Sequence, residues 1–224
     1  MPSLREVEIY LKGLWLLFRQ QPAGLAFLDL SDRGALRSFW SALWSLPAIL
    51  VSFAWWRLLY LQELAPSQSV GGLFFFRLAL VEATNWIVPL VLVGLVCWVI
   101  GLGDKFSSIV VVVNWLALPI SYAYGTLILM LMLVPSAAGF VTLLWFVLTI
   151  LLITTLFRVL RMVVGDQVLT LSALILVLLV PSISGLSATS EAIWSWLRWM
   201  APASALSMSS PGGASRRRST STVA

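Results

Sequence analysis

The chain has 224 residues, 60% of them hydrophobic and only 10% charged, with a formal net charge of +5. Soluble domains carry about a quarter charged residues, so a separate water-soluble domain is not expected; the basic residues flank apolar runs or sit in the tail, where they read as topology signals and not as a nucleic-acid surface. Histidine is absent and Cys97 is the single cysteine, which removes the usual proton shuttle, the commonest zinc ligand and any intrachain disulfide, so no catalytic, metal or cofactor set is expected and the chain is not read as an enzyme.

Leu4, Val7, Leu11, Leu14 and Phe18 follow the three-four spacing of one helical face, while Arg5, Glu8, Lys12 and Arg19 fall largely on the other. The spacing predicts an amphipathic helix over residues 3–20 lying in the headgroup plane, with Trp15 beside its apolar stripe; a short partner-binding seam is the alternative. Glu6, Glu8 and Lys12, interleaved with apolar positions, do not make a cleavable signal peptide. Pro22 and Gly24 end the helix, and Asp29 or Ser31 can cap a second one, with Asp32 well placed against its N-terminal dipole.

Five crossings are expected. The first, 38–56, is free of charge between Arg33 and Arg37 before it and Arg57 after it. Its tryptophan pairs, Trp40 with Trp44 and Trp55 with Trp56, have outer members roughly 24 Å apart, as two interfacial belts require; Pro47 lies between them. Residues 62–72 read as a loop. The second crossing, 83–103, stops at Asp104-Lys105, and this register leaves Arg77 and Glu82 at or outside one interface. A hinge at 101–105 reverses the chain. The charge-free run 106–157 divides at 135–139 into a third crossing, 106–133, and a fourth, 140–157, closed by Arg158 and Arg161. Gly165-Asp166 turns, and 168–186 supplies the fifth.

The expected organisation is therefore all-α: a polytopic transmembrane bundle of about five spans, 38–186, preceded by an amphipathic interfacial segment, 1–37. Trp194, Trp196 and Trp199 suit a short surface helix, 187–200, and 201–224, with Arg216 to Arg218 among Ser and Thr, reads as a disordered basic tail. Arg19, Arg33, Arg37, Lys105, Arg158 and Arg161 fall on one side of this thread and Arg57, Arg77 and Arg198 on the other, which puts the N-terminus in the cytoplasm.

Glu82 most invites chemistry, because a carboxylate in an apolar helix is costly and marks proton or cation coupling. At the register above it is instead an interfacial anchor, meeting Arg77 or Arg57 through water. Asn85 lies one turn deeper and Pro89 one turn deeper again; the strip is either the start of a substrate path or an interhelical hydrogen bond beside a bent helix. In the third crossing Asn114, Ala117, Ser121 and Gly125 share a face at three-four-four spacing, near Tyr122 and Tyr124. That face predicts close helix packing, with a ligand groove as the alternative.

A cytoplasmic N-terminal segment, five closely spaced spans over 39–186 and a far-side C-terminus resemble the Yip1 superfamily and its small bacterial relatives. The stretch Leu25 to Trp44, LAFLDLSDRGALRSFWSALW, and Asn114-Trp115 resemble small bacterial inner-membrane proteins of similar length. The Yip1 resemblance implies membrane organisation or trafficking through protein partners and carries over no functional residue. The expected function is a non-catalytic scaffold or assembly factor of a bacterial inner membrane, its partners being the lipid bilayer and either another membrane protein or further copies of itself. The rival is a small, oligomeric permease or channel subunit using Glu82, Asn85 and Asn114.

Overall fold

The computed structural model describes residues 2–63 and 71–179. The described residues are all-helical, without a strand. The tip of the expected loop, the end of the expected fifth crossing, the 187–200 helix and the tail lie outside them.

Ser3 caps α1, Leu4–Phe18, through a capping box: its hydroxyl accepts the Glu6 amide at 3.3 Å, and Glu6 Oε2 accepts the Ser3 amide at 2.7 Å. Gln20, at φ 63, turns the chain out of the helix. A 3-10 turn, Pro22–Phe27, then folds back so closely that a Cβ on Gly24 would stand 2.4 Å from the Gly13 carbonyl oxygen. Only glycine fits that crossing.

Ser31 caps α2, Asp32–Ser38, accepting the Gly34 amide at 3.1 Å, and Asp29 steadies the cap by accepting the Ser31 hydroxyl at 2.6 Å. Both sequence candidates for the cap therefore take part. Phe39 joins α2 to α3, Trp40–Glu63. After it come α4, Gly72–Val99; α5, Phe106–Leu133; and α6, Ala138–Val164. These make four helices long and apolar enough to cross a membrane, the first formed by α2 and α3 together. A further apolar helix, α7, Val168–Leu179, is shorter than a crossing within the described residues.

The α5 bounds coincide with the expected third crossing. Elsewhere the helices overrun the charge-free runs. α3 continues through Arg57 to Glu63, into the expected loop. α4 begins at Gly72 instead of residue 83, taking in Arg77 and Glu82, and stops at Val99, short of 103. α6 continues through Arg158 and Arg161. The reason is that a charged side chain does not end a helix; its stem can run along apolar surface while its head reaches water. Left-handed glycines do the ending, Gly101 at φ 74 after α4 and Gly165 at φ 102 after α6.

α5 is the central helix, packed by α2, α3 and α6. Asp32 accepts the Ser107 hydroxyl, Asn114 Nδ2 donates to Ser38 Oγ at 2.8 Å, and Tyr122 OH donates to the Trp44 carbonyl at 3.0 Å. The partner numbers rise together, so α2 and α3 run parallel to α5. α6 returns antiparallel after a 3-10 turn, Pro135–Ala137, and Tyr124 meets its Thr149 at 3.1 Å. Arg33, Arg37, Lys105, Arg158 and Arg161 consequently share one end of the bundle, and Arg57 and Arg77 lie at the other.

α1 joins the first end. Its Glu6 accepts from Arg37 Nη2 at 2.9 Å, and Tyr10 packs on Trp115 with ring centroids 4.6 Å apart. Val7, Leu14 and Leu17 are buried in a common core with Val111, Val112 and Trp115. The stripe expected against lipid is thus divided: Val7 and Leu14 turn inward with Leu17 beside them, whereas Leu4 is 72% exposed and Leu11 is exposed too.

Candidate functional site

α4 carries Glu82, Asn85, Trp86 and Pro89 along one side, and α5 faces them with Asn114, Ala117 and Ser121. These residues line a cleft of about 280 Å³, completed by Leu152 and Leu156 of α6 and Leu178 and Leu179 of α7. The residues that the sequence marked separately on two helices come together here. Arg77 and Gly125 do not line the cleft.

Glu82 lies ten residues into α4, about 15 Å from the helix start at 1.5 Å per residue. The helix therefore begins well before the charge-free run that was expected to be the crossing. Glu82 is half-buried, and its Oε1 accepts the Trp86 indole N–H at 3.2 Å. Pro89 has no amide hydrogen, so the Asn85 carbonyl loses the donor that a regular helix would give it. A carboxylate, a side-chain amide and a released main-chain carbonyl therefore occupy two consecutive turns of α4.

Across the cleft, Asn114 is only 2% exposed. Its nitrogen is committed to Ser38 Oγ, which passes a hydrogen bond on to the Ala35 carbonyl at 2.7 Å. Among the described residues no donor reaches the remaining amide oxygen. Ser121 Oγ donates to the Ala117 carbonyl of its own helix at 2.8 Å, keeping its lone pairs. The cleft thus offers the Glu82 carboxylate, the Asn85 carbonyl, the Asn114 amide oxygen and the Ser121 lone pairs as acceptors, together with side-chain amide N–H groups of Asn85 and Asn114, with apolar walls around them. Such a site can hold a small cation or a solute with several N–H or O–H groups.

The small-residue face of α5 has two neighbours. Ala117 and Ser121 open on the cleft, while Gly125 meets α3, where an added Cβ would stand 3.1 Å from Ala48 Cβ and 3.3 Å from Ala48 Cα. Sequence reading overlooked the opposing stripe, Ser38, Ser41, Ser45 and Ala48, although its three-four-three spacing is the same signal. All four are buried; among the described residues, Ser41 Oγ, Ser45 Oγ and the Trp44 indole nitrogen have no hydrogen-bond partner. Trp86, the partner of Glu82, also went unmarked.

The chain matches no protein-family model, no curated protein and no solved structure.

Proposed function

We propose that this protein is a small integral-membrane permease subunit whose cleft binds a cationic or donor-rich solute. Glu82 supplies the charge, and Asn85, Asn114 and Ser121 supply neutral oxygens. One observation carries the reading: a carboxylate well inside a long apolar helix lines the same cleft as three polar side chains from two helices. Ionisable groups so placed are expensive and belong to substrate, ion or proton pathways. The α5 face expected to pack closely on another helix is partly occupied within the chain, since Ala48 already fills the space at Gly125. That weakens the case for a scaffold built on this face.

The scaffold reading, with its Yip1-like layout, keeps one observation in its favour. Leu80, Ile87, Val91, Leu95 and Trp98 form a single outward stripe of α4, each more than half exposed, with Trp98 at 78%. Lipid or another membrane helix would cover it.

Purified protein in proteoliposomes on a solid-supported electrode tests the two readings. Monovalent cations and small amines should displace charge through the wild-type protein, and Glu82→Gln, equally abundant and folded, should reduce the response at least about tenfold. Equal responses from the two proteins would end the permease reading.

We also place the N-terminus in the cytoplasm of a bacterial inner membrane, with α7 beginning a fifth crossing. The five basic residues at one end of the bundle, against Arg57 and Arg77 at the other, support that orientation. In a Cys97→Ala background, a cysteine at Gly71 should react with an impermeant maleimide from outside, and one at Ser3 only after permeabilisation. The reverse pattern would invert the thread.

A further inference from the structure

A second cavity, about 300 Å³, lies on the other side of the α5–α6 pair from the polar cleft. Leu116, Ile120 and Leu152 form the wall common to both. The second cavity runs between α1, α5 and α6, and Leu14, Trp15, Phe18, Pro119, Ala123 and Leu151 give it an apolar lining broken only by Thr155.

Its chemistry changes at one end. Arg19 holds its guanidinium over the Trp15 ring, 5.3 Å from the centroid. Arg158 lies one turn beyond Thr155 and two beyond Leu151 on the same side of α6. With the Gln20 amide oxygen turned toward it, that oxygen accepts from Arg158 Nε at 3.0 Å and Nη1 at 3.2 Å. Neither arginine lines the trough itself, but Arg19 stacks on its Trp15 and Arg158 is tied through Gln20 to the end of α1, so both are linked to the end of the trough formed by Trp15, Phe18 and Thr155. Arg37 and Lys12 close by are neutralised by Glu6 and Glu8, each at 2.9 Å, and Arg161 by Asp166. Among the described residues, no carboxylate pairs with Arg19 or Arg158, and both are exposed.

We propose that this trough binds one acyl chain of an anionic phospholipid whose phosphate is held by Arg19 and Arg158. The apolar length and the single cationic end match an amphiphile with one charged head. Guanidinium forks suit phosphate oxygens, and Trp15 is the residue type that settles at headgroup level. The charged end coincides with the end of the bundle where the basic residues collect, so the lipid enters with its head at that surface. A soluble anion would use the two arginines and leave the trough idle, whereas a lipid uses both. The inference is independent of the permease reading, because it concerns the opposite side of α5 and α6.

Native mass spectrometry of the full chain, released from nanodiscs holding equal phosphatidylglycerol and phosphatidylcholine, provides the test. The wild type should retain phosphatidylglycerol over phosphatidylcholine by on the order of tenfold, two basic contacts being involved. Arg19→Gln with Arg158→Gln should bring the ratio close to one. Ala123→Leu, which fills the trough, should lower retention of both lipids. Arg57→Gln, at the far end, should change nothing. Absence of preference in the wild type, an unchanged ratio in the double variant, or an equal loss in Arg57→Gln would overturn the proposal. Full phosphatidylglycerol retention by Ala123→Leu would overturn the acyl-chain site. Both arginines are exposed and, among the described residues, without carboxylate partners, so unchanged helicity and melting temperature are expected for the double variant.

Discussion

Where α5 meets α2 and α3, small groups oppose small groups: Ser38 bonds Asn114 at 2.8 Å, and Ala48 sits against Gly125. Where the same helix meets α4, Ala117 and Ser121 look across a cleft at Trp86 and Pro89. A row of small residues on one helix therefore does not fix how close a neighbour comes. The opposing row decides. Small against small lets the backbones approach and excludes solute; small against a bulky ring and a proline leaves room for one.

Placing the same side chain on both sides of α5 tests that contrast most strongly. Gly125→Leu forces a branched side chain toward Ala48 and should cost about 1 to 3 kcal/mol of stability in mild detergent, as overpacking does. Ala117→Leu, two turns earlier but facing the cleft, should stay within about 0.5 kcal/mol of the wild type, while reducing solute-dependent currents by filling the site. Thermal unfolding in one detergent checks both, and similar losses for the two would erase the distinction.

A smaller effect is expected inside the tight seam. A double-mutant cycle on Asn114→Ala and Ser38→Ala should give a coupling energy of about 0.6 kcal/mol, in line with hydrogen bonds between membrane helices. The same cycle on Asn114 and Ser121, which share the cleft without a bond, should give no coupling beyond error. Denaturant unfolding of the four proteins supplies the numbers, and coupling confined to Asn114 and Ser121 would move the polar link from the seam to the cleft.

Local signals carried much of this architecture. The α5 limits, a cap at Asp29 or Ser31 and the glycine turns after α4 and α6 were legible because neighbouring residues determine them. The face Asn114, Ala117, Ser121 and Gly125 was legible as a face, but its partners were not. Helical spacing gives direction around one axis and nothing about which helix stands opposite. The start of α4 was missed for a different reason: the charge-free run was treated as the whole helix, while α4 extends eleven residues earlier, from 72 instead of 83, and takes in Glu82. In α1, Phe18 was assigned to the apolar stripe, whereas Leu17 is the residue fully buried in the core. The turn through Pro22–Phe27 brings a second surface against α1 that periodicity within α1 cannot announce.

The length of α4 and α5 has a physical consequence of its own. At 28 residues each, they are about 42 Å long, against a hydrocarbon layer of about 30 Å. Upright, with the excess shared between the two ends, α4 carries Glu82 about 9 Å below the headgroup boundary. In a thinner bilayer the same helices lean or draw the lipids up around them. Acyl-chain length thereby becomes a mechanical variable for this bundle, setting the depth and inclination at which Glu82 is presented.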